Sequence, residues 1–219
     1  MKNLCYVSCL TLVLSGCALT SRSEAIRVRY FTPEDTAHAT TQASEPRALE
    51  LRLGRVEASE YLSEDIAFRN GQHELEYYED QRWTEKPQEY LRRALARALF
   101  QERGITRAYS GAALTLDVEL VAFEELRYGG EPKVRFKAIA SLHDERRSIF
   151  EQTFLVERPL RDNAGGPEHT GATASALAQA MRAAVSGMCE RVIASLTAQN
   201  ATLDATAQAH ASENASAPH

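Results

Sequence analysis

Apolar and polar residues alternate along three long stretches of this chain. Leu114, Leu116, Val118 and Leu120 share one face of the first. Val134, Phe136, Ala138, Ala140 and Leu142 share one face of the second, and Phe150, Phe154 and Val156 one face of the third. A period of two is that of a half-buried strand. Gly129-Gly130 turns the first stretch into the second, and His143 to Arg147 turns the second into the third. The pattern predicts an antiparallel meander with one apolar face. Upstream, Ile26 to Phe31 alternates and reads as a first strand. Ala48 to Glu57 reads as another, with Leu49, Leu51 and Leu53 on one face. Its alternation slips at Gly54 before Val56, the mark of a β-bulge. Asp65 to Arg69 and His73 to Tyr78 flank Asn70-Gly71, a strong hairpin signal.

Two segments carry the helical period instead. After Arg82-Trp83, Thr84 is the expected N-cap, and Pro87 fits only in a first turn. Tyr90, Leu91, Ala94, Leu95, Ala98 and Leu99 then form an apolar stripe that Gly104 is placed to end. Arg92, Arg93, Arg97 and Arg103 are expected on the opposite, solvated face. Residues 159–172 read as a loop. A second helix is predicted over 173–196, with Leu177, Met181, Val185, Met188, Val192 and Leu196 as its stripe. Gly187 within it costs about 1 kcal/mol relative to Ala and marks close packing on the sheet. The fold class is therefore α+β: an antiparallel or mixed sheet covered on one face by two main helices.

Pairing the strands through their turns gives a register. Phe136 meets Phe154 and Val134 meets Val156 on the core face. On the other face Glu125 falls opposite Arg135, Asp117 opposite His143, and Lys133 opposite Glu157. Such cross-strand charge pairs favour a register by about 0.2–1 kcal/mol each. Val121, Phe123, Ile139 and Leu155 land on this outer face as well. An apolar cluster among charges is either a partner-contact surface or a patch covered by the long loop over 32–47.

The N-terminus changes the picture. Lys2 precedes an apolar run from Leu4 to Leu14, shorter than the ~18–20 residues that span a bilayer. Leu14-Ser15-Gly16-Cys17 closes it. This order resembles the lipobox of bacterial lipoproteins, in which the thiol receives a diacylglycerol and cleavage leaves the cysteine N-terminal. Residues 1–16 are thus expected to be a lipoprotein signal peptide, an ordinary secretory signal being the alternative. Cys17 is the expected lipid attachment site, carrying diacylglycerol and an N-acyl chain, with palmitate among the acyl groups. Two or three chains, at about 0.8 kcal/mol per buried methylene, hold a protein on its membrane. Ala18 follows, not the Asp that tends to retain lipoproteins at the inner membrane of enteric bacteria. By that likeness the expected location is the periplasmic face of the outer membrane. Residues 17–25 serve as a tether whose reach, at ~3.3–3.6 Å per residue, is about 25–30 Å.

Residues 26–197 fit one domain of ordinary size. The formal net charge of −5, with no basic tail, gives no reason to expect nucleic acid. Three of the four cysteines lie at or before position 17. Cys189 then has no intramolecular partner, and a small buried hydrophobe is the expected role. Residues 198–219 are almost all Ala, Thr, Ser, Gln, Asn and His, and are expected to be a disordered tail. The six histidines are scattered without metal-ligand spacing. No nucleophile elbow, phosphate loop or zincin helix occurs. A non-enzyme without metal or further cofactor is expected.

The segment from Tyr61 to Ile105 carries a resemblance. It reads Tyr61-Leu62, Ile66, Arg69, the Asn70-Gly71 turn, Tyr77-Tyr78, Arg82-Trp83 and a helix rich in Leu, Ala and Arg. Ala180-Met181 adds to it in the last helix. The order resembles the ABC-type transport auxiliary lipoproteins, the PqiC/YmbA-like family. That likeness implies an accessory lipoprotein beside an MCE-domain protein and an ABC transporter that moves lipids or other hydrophobic molecules across the envelope. It implies no catalytic residues. A second class remains: a lipoprotein regulator or assembly factor of another envelope machine, such as a cell-wall synthase activator or an outer-membrane assembly pilot. Self-association into a homo-oligomer is compatible with either.

Overall fold

The computed structural model describes residues 27–34, 45–160 and 167–215. The lipobox, Cys17, the tether and most of the 32–47 loop lie outside the described residues. Eight strands form one mixed sheet: β1 (Arg29–Phe31), β2 (Glu50–Ala58), β3 (Asp65–Arg69), β4 (Glu76–Trp83), β5 (Thr106–Arg107), β6 (Thr115–Leu126), β7 (Lys133–His143) and β8 (Ser148–Pro159). Helix α1 (Pro87–Ala96) runs on as a wider π-helical segment, Arg97–Glu102. Helix α2 spans Pro167–Ala215.

β6 is the spine. Along one edge it pairs antiparallel with β7, which pairs antiparallel with β8, as the meander pattern predicts. Along its other edge β2 and β3 lie one after the other, both parallel to β6. β4 returns antiparallel to β3, and the short strands β1 and β5 add to β4 and β2. The β2 alternation breaks where Gly54 suggested, with a register shift between Leu53 and Val56. A side chain at Gly54 would collide with Asp117 Oδ1 and Thr115 Cγ2. Asp117 needs that room because its Oδ1 accepts the Arg55 amide at 2.7 Å.

Both helices lie on one face. α1 packs over β2, α2 packs over β7 and β8, and the two touch each other. Leu91, Leu95 and Leu99 from the first helical segment, and Leu177, Ala180, Met188 and Val192 from α2, are fully buried. They meet Leu51, Leu116, Leu120, Val134 and Phe136 in one continuous core. Burying one such side chain contributes about 1.5–3 kcal/mol. Ala138 and Ala140, both fully buried, leave α2 room against β7. Gly187 faces the Phe154 ring, where an added Cβ would lie 3.6 Å away.

Several expectations are corrected. A second bulge, at Val121, shifts the β6–β7 register between Leu120 and Ala122. Each extra residue in a strand exchanges the two faces beyond it. Phe123 therefore turns inward: it is 1% exposed and does not belong to the outer face. Glu125 turns inward with it, and Glu124 takes the place beside Arg135. The β7–β8 register lies two residues from the expected one, with Phe136 opposite Val156, Ala138 opposite Phe154 and Val134 opposite Arg158. A shift of two preserves the faces, so the core residues are those anticipated. Asp117 lies opposite Ser141, yet reaches His143 diagonally at 3.1 Å. Thr84 is not the N-cap. Lys86 holds that place without a side-chain cap and Pro87 opens the helix. The Thr84 hydroxyl instead pairs with Tyr90 Oη at 2.7 Å. The arginine face is not simply solvated. Arg92 donates to the carbonyls of Gly54 and Val56 at the β2 bulge, and Arg93 bridges Glu34 and Glu85. Finally, α2 continues as helix through residues 198–215, where a disordered tail was expected. Alanine is the best helix former and a packed helix propagates cheaply.

Candidate interaction face

With both helices on one side, the opposite face of the sheet is the candidate site. β7 presents Lys133, Arg135, Lys137, Ile139, Ser141 and His143 there, all half-buried. Ile139 lies between Glu119 and Thr153, and Lys137 lies opposite Leu155. Leu155 is 55% exposed, while Val121 and Ile139 are half-buried. Three of the four expected contact residues are thus on this face. The fourth, Phe123, packs against Trp83 and Phe136, with ring centroids 5.4 and 6.3 Å away.

Ion pairs frame the apolar trio. Arg135 meets Glu157 at 2.9 Å, Lys133 meets the same carboxylate, and His143 meets Asp117 at 3.1 Å. The Lys133–Glu157 and Asp117–His143 contacts are those anticipated from the sequence, though neither pair is directly opposite in the register. Partly exposed pairs of this kind contribute about 0–1 kcal/mol each. Their effect is to pattern the surface, leaving Val121, Ile139 and Leu155 around Lys137 between two charged ends.

Beneath this face the bulge creates a feature that the alternation of the sequence hid. Glu124 and Glu125 are adjacent, both buried, and point to opposite sides of the sheet. Glu124 accepts from Arg69 at 2.9 Å and from Tyr61 Oη at 3.2 Å. The single Tyr61 O–H is shared between that carboxylate and the carbonyl of the bulged Val121, which lies nearer at 2.8 Å. Burial, reinforced by the Glu124 charge, pushes the Tyr61 hydroxyl up to about 12. Glu125 accepts four bonds. Oε1 takes Arg127 Nε and His169 Nε2, each at 2.8 Å, and Oε2 takes Tyr78 Oη at 2.6 Å and Thr173 Oγ1 at 3.2 Å. Burial alone would raise the Glu125 carboxyl, but the bonds from Tyr78, Arg127 and His169 outweigh it and hold it below the ordinary value.

This arrangement ties parts together. All four lone-pair positions of Glu125 are taken, leaving none for a substrate proton. Its donors come from β4, from the residue after β6 and from the first turns of α2, so one carboxylate fixes the start of the long helix to the sheet. The segment singled out in the sequence converges on the same place. Leu62, Ile66 and Trp83 are core residues, Arg69 and Tyr61 hold Glu124, Tyr78 holds Glu125, and Arg82 meets Asp65 at 2.6 Å. Tyr77 donates to the Tyr61 carbonyl at 3.0 Å. The sequence signal for Glu124 and Glu125 was the pair itself, two acids inside an apolar strand.

Among the described residues no group of His, Cys, Asp and Glu is placed to hold a metal ion. Cys189 is buried, and desolvation raises its thiol to about 11, which keeps it protonated and unreactive. No described helix is long and apolar enough to cross a membrane.

Over residues 31–193 the sequence matches the family of the ABC-type transport auxiliary lipoprotein component. No curated protein matches it. Among solved structures, a DUF330 protein from Xanthomonas campestris is 21% identical with a TM-score of 0.62, covering 80% of this chain and 99% of its own. A second, an uncharacterized protein, is 15% identical with a TM-score of 0.58, covering 76% of this chain and 99% of its own. At these identities the likeness is one of fold.

Proposed function

From the premise that this chain belongs to the ABC-type transport auxiliary lipoprotein family, we propose that it is the docking component of an MCE-type system moving lipids or other hydrophobic compounds between the inner and outer membranes. Family membership makes it an accessory lipoprotein of ABC-type transport, anchored to a membrane of the envelope. The finer reading sets it on the periplasmic face of the outer membrane, held by diacylglycerol and an N-acyl chain on Cys17, with an MCE-domain protein as partner. The observation that carries an adaptor role is the helix-free sheet face, where Val121, Ile139 and Leu155 lie between two groups of ion pairs, with Lys137 among them. The ion-paired groups toward its two ends, Lys133, Arg135 and Glu157 at one and His143 and Asp117 at the other, have partners within the chain. What this face offers beyond them is apolar surface with Lys137 and Glu119 beside it, a combination that suits recognition of another protein.

Crosslinking in cells tests the reading. The wild-type protein is expected to recover an MCE-domain protein. Ile139→Glu places a charge at the apolar centre and is expected to lower that recovery roughly tenfold, the equivalent of ~1.4 kcal/mol, with the circular dichroism spectrum unchanged. Recovery equal to wild type would remove this face from the proposal. Absence of any MCE protein from wild-type crosslinks would overturn the transport partner itself.

A further inference from the structure

Among the described residues β8 is paired on one side only. Its twelve residues run antiparallel to β7, and among the described residues no strand pairs with its other edge. A long open edge is a template for another strand, which proteins ordinarily blunt with lysines, prolines, bulges or short length. The other free edges follow that rule, since β1 has three residues and β5 has two. β8 is blunted only at its ends, by a register shift at Ile149 and by Pro159 as its last residue. Between them it contains no lysine, and Leu155 stands 55% exposed near its middle.

We propose that β8 pairs with β8 of a second copy of this chain, antiparallel about a twofold axis at Leu155, so that two sheets join into one. A twofold axis perpendicular to the sheet keeps both helix layers on the same side. Phe154 and Val156, which pack partly buried against the core, then continue into the core rim of the other copy. The side chains choose among the registers. Centring on Phe154 sets Glu151 against Glu157 of the second copy, a like-charge pair that disfavours the register. Centring on Thr153 sets Leu155 against Glu151 and Ile149 against Glu157. Centring on Leu155 sets Leu155 against Leu155, Phe154 against Val156, Thr153 against Glu157 and Gln152 against Arg158. The last pair sets the half-buried Arg158 beside the Gln152 side-chain carbonyl of the second copy, a donor facing an acceptor. Arg158 Nε lacks a hydrogen-bond partner within the chain, and a rotamer change of Arg158 brings it to that carbonyl. The inference goes beyond the transport reading and does not require it.

Disulfide trapping of the full-length protein in an oxidising periplasm tests both the dimer and its register. Directly opposed antiparallel residues have Cα atoms about 4.5–5.5 Å apart, within disulfide range. L155C is therefore expected to give a reducible dimer. Two copies of residue 153 would be offset by four positions, about 13 Å, so T153C is expected to give at least about tenfold less. The double variant T153C/E157C restores trapping, because those positions face each other. Cys189 is buried and adds no background. As a second readout, L155K opposes two like charges and is expected to leave wild-type folding intact while shifting sedimentation to the monomer. No dimer from L155C, or equal trapping from E151C, T153C and L155C, overturns the proposal. Trapping of a different protein at L155C overturns it too, and assigns the edge to that partner.

Discussion

Glu125 is the residue whose loss should be felt most. It is fully buried, and Arg127, Tyr78, His169 and Thr173 all donate to it. Glu125→Gln sets an amide nitrogen against those donors and strips Arg127 of its carboxylate. The expected cost is about 2–3 kcal/mol, below the ~3–5 of a fully buried pair because Arg127 is partly solvated. That predicts a thermal midpoint lower by about 5–10 °C. The effect carries a pH signature. The folded-state carboxyl lies below its ordinary value of 4.5, so its contribution is complete above that value and is lost as pH falls through the depressed one. Midpoints of wild type and variant are expected to converge as pH falls through that depressed value; a gap that stays constant until the protein unfolds in acid would reject the assignment. At this scale the sequence was half legible. The bulge at Gly54 was visible because glycine interrupts an alternation. The bulge at Val121 was not, because Leu120, Val121, Ala122 and Phe123 are all apolar and suit either face. One unseen extra residue sent Phe123 to the core and Glu125 beneath α2, while leaving Val121 and Ile139 half-buried and Leu155 exposed on the other side.

Among the elements, strands and helix stripes were legible wherever burial imposes a period. The meander and the α2 stripe from Leu177 to Leu196 follow from it, while the β3–β4 hairpin was read from its Asn70-Gly71 turn, and its second strand starts at Glu76 rather than His73. Helix ends were less so. Tyr90 Oη takes the Thr84 hydroxyl and accepts the Glu85 amide at 2.9 Å, a tertiary contact that displaces a local cap. The far end of α2 has no stripe, and its helicity comes from continuity with a packed helix. Described side chains there, such as Ala201, Thr202, Ala205 and Thr206, are exposed. Deleting residues 203–219 is expected to reduce helical ellipticity yet move the thermal midpoint by less than about 4 °C. Deleting from residue 194 onward also removes Leu196, which is 5% exposed, and the Asn200 bond to the Ala48 carbonyl at 3.3 Å. That longer deletion is expected to cost at least the ~1.5–3 kcal/mol of a buried leucine. Equal loss from both deletions would show that the distal helix packs.

The whole molecule separates three tasks: a hydrophobic core on one side of the sheet, a patterned face on the other, and the expected lipid anchor ahead of both. Among the described residues the core is built entirely from positions after residue 27, well past Cys17. Cys17→Ser is therefore expected to leave the thermal midpoint unchanged while moving the protein from the membrane to the soluble periplasmic fraction and abolishing palmitate labelling. The consequence for association is larger than the change itself. On the proposed reading, a tether with a reach of about 25–30 Å would hold the body in a thin layer beside the leaflet, and confinement of that kind raises effective concentration without adding a contact. Both the partner crosslink and the disulfide dimer of L155C are expected to weaken in the Cys17→Ser background, although neither surface has been touched. Restoring a membrane anchor of different chemistry, a transmembrane helix joined ahead of residue 18, is expected to recover both. If the anchored form recovers membrane residence but not association, the acyl chains take part in the contact directly, and confinement alone is the wrong account of what the anchor does.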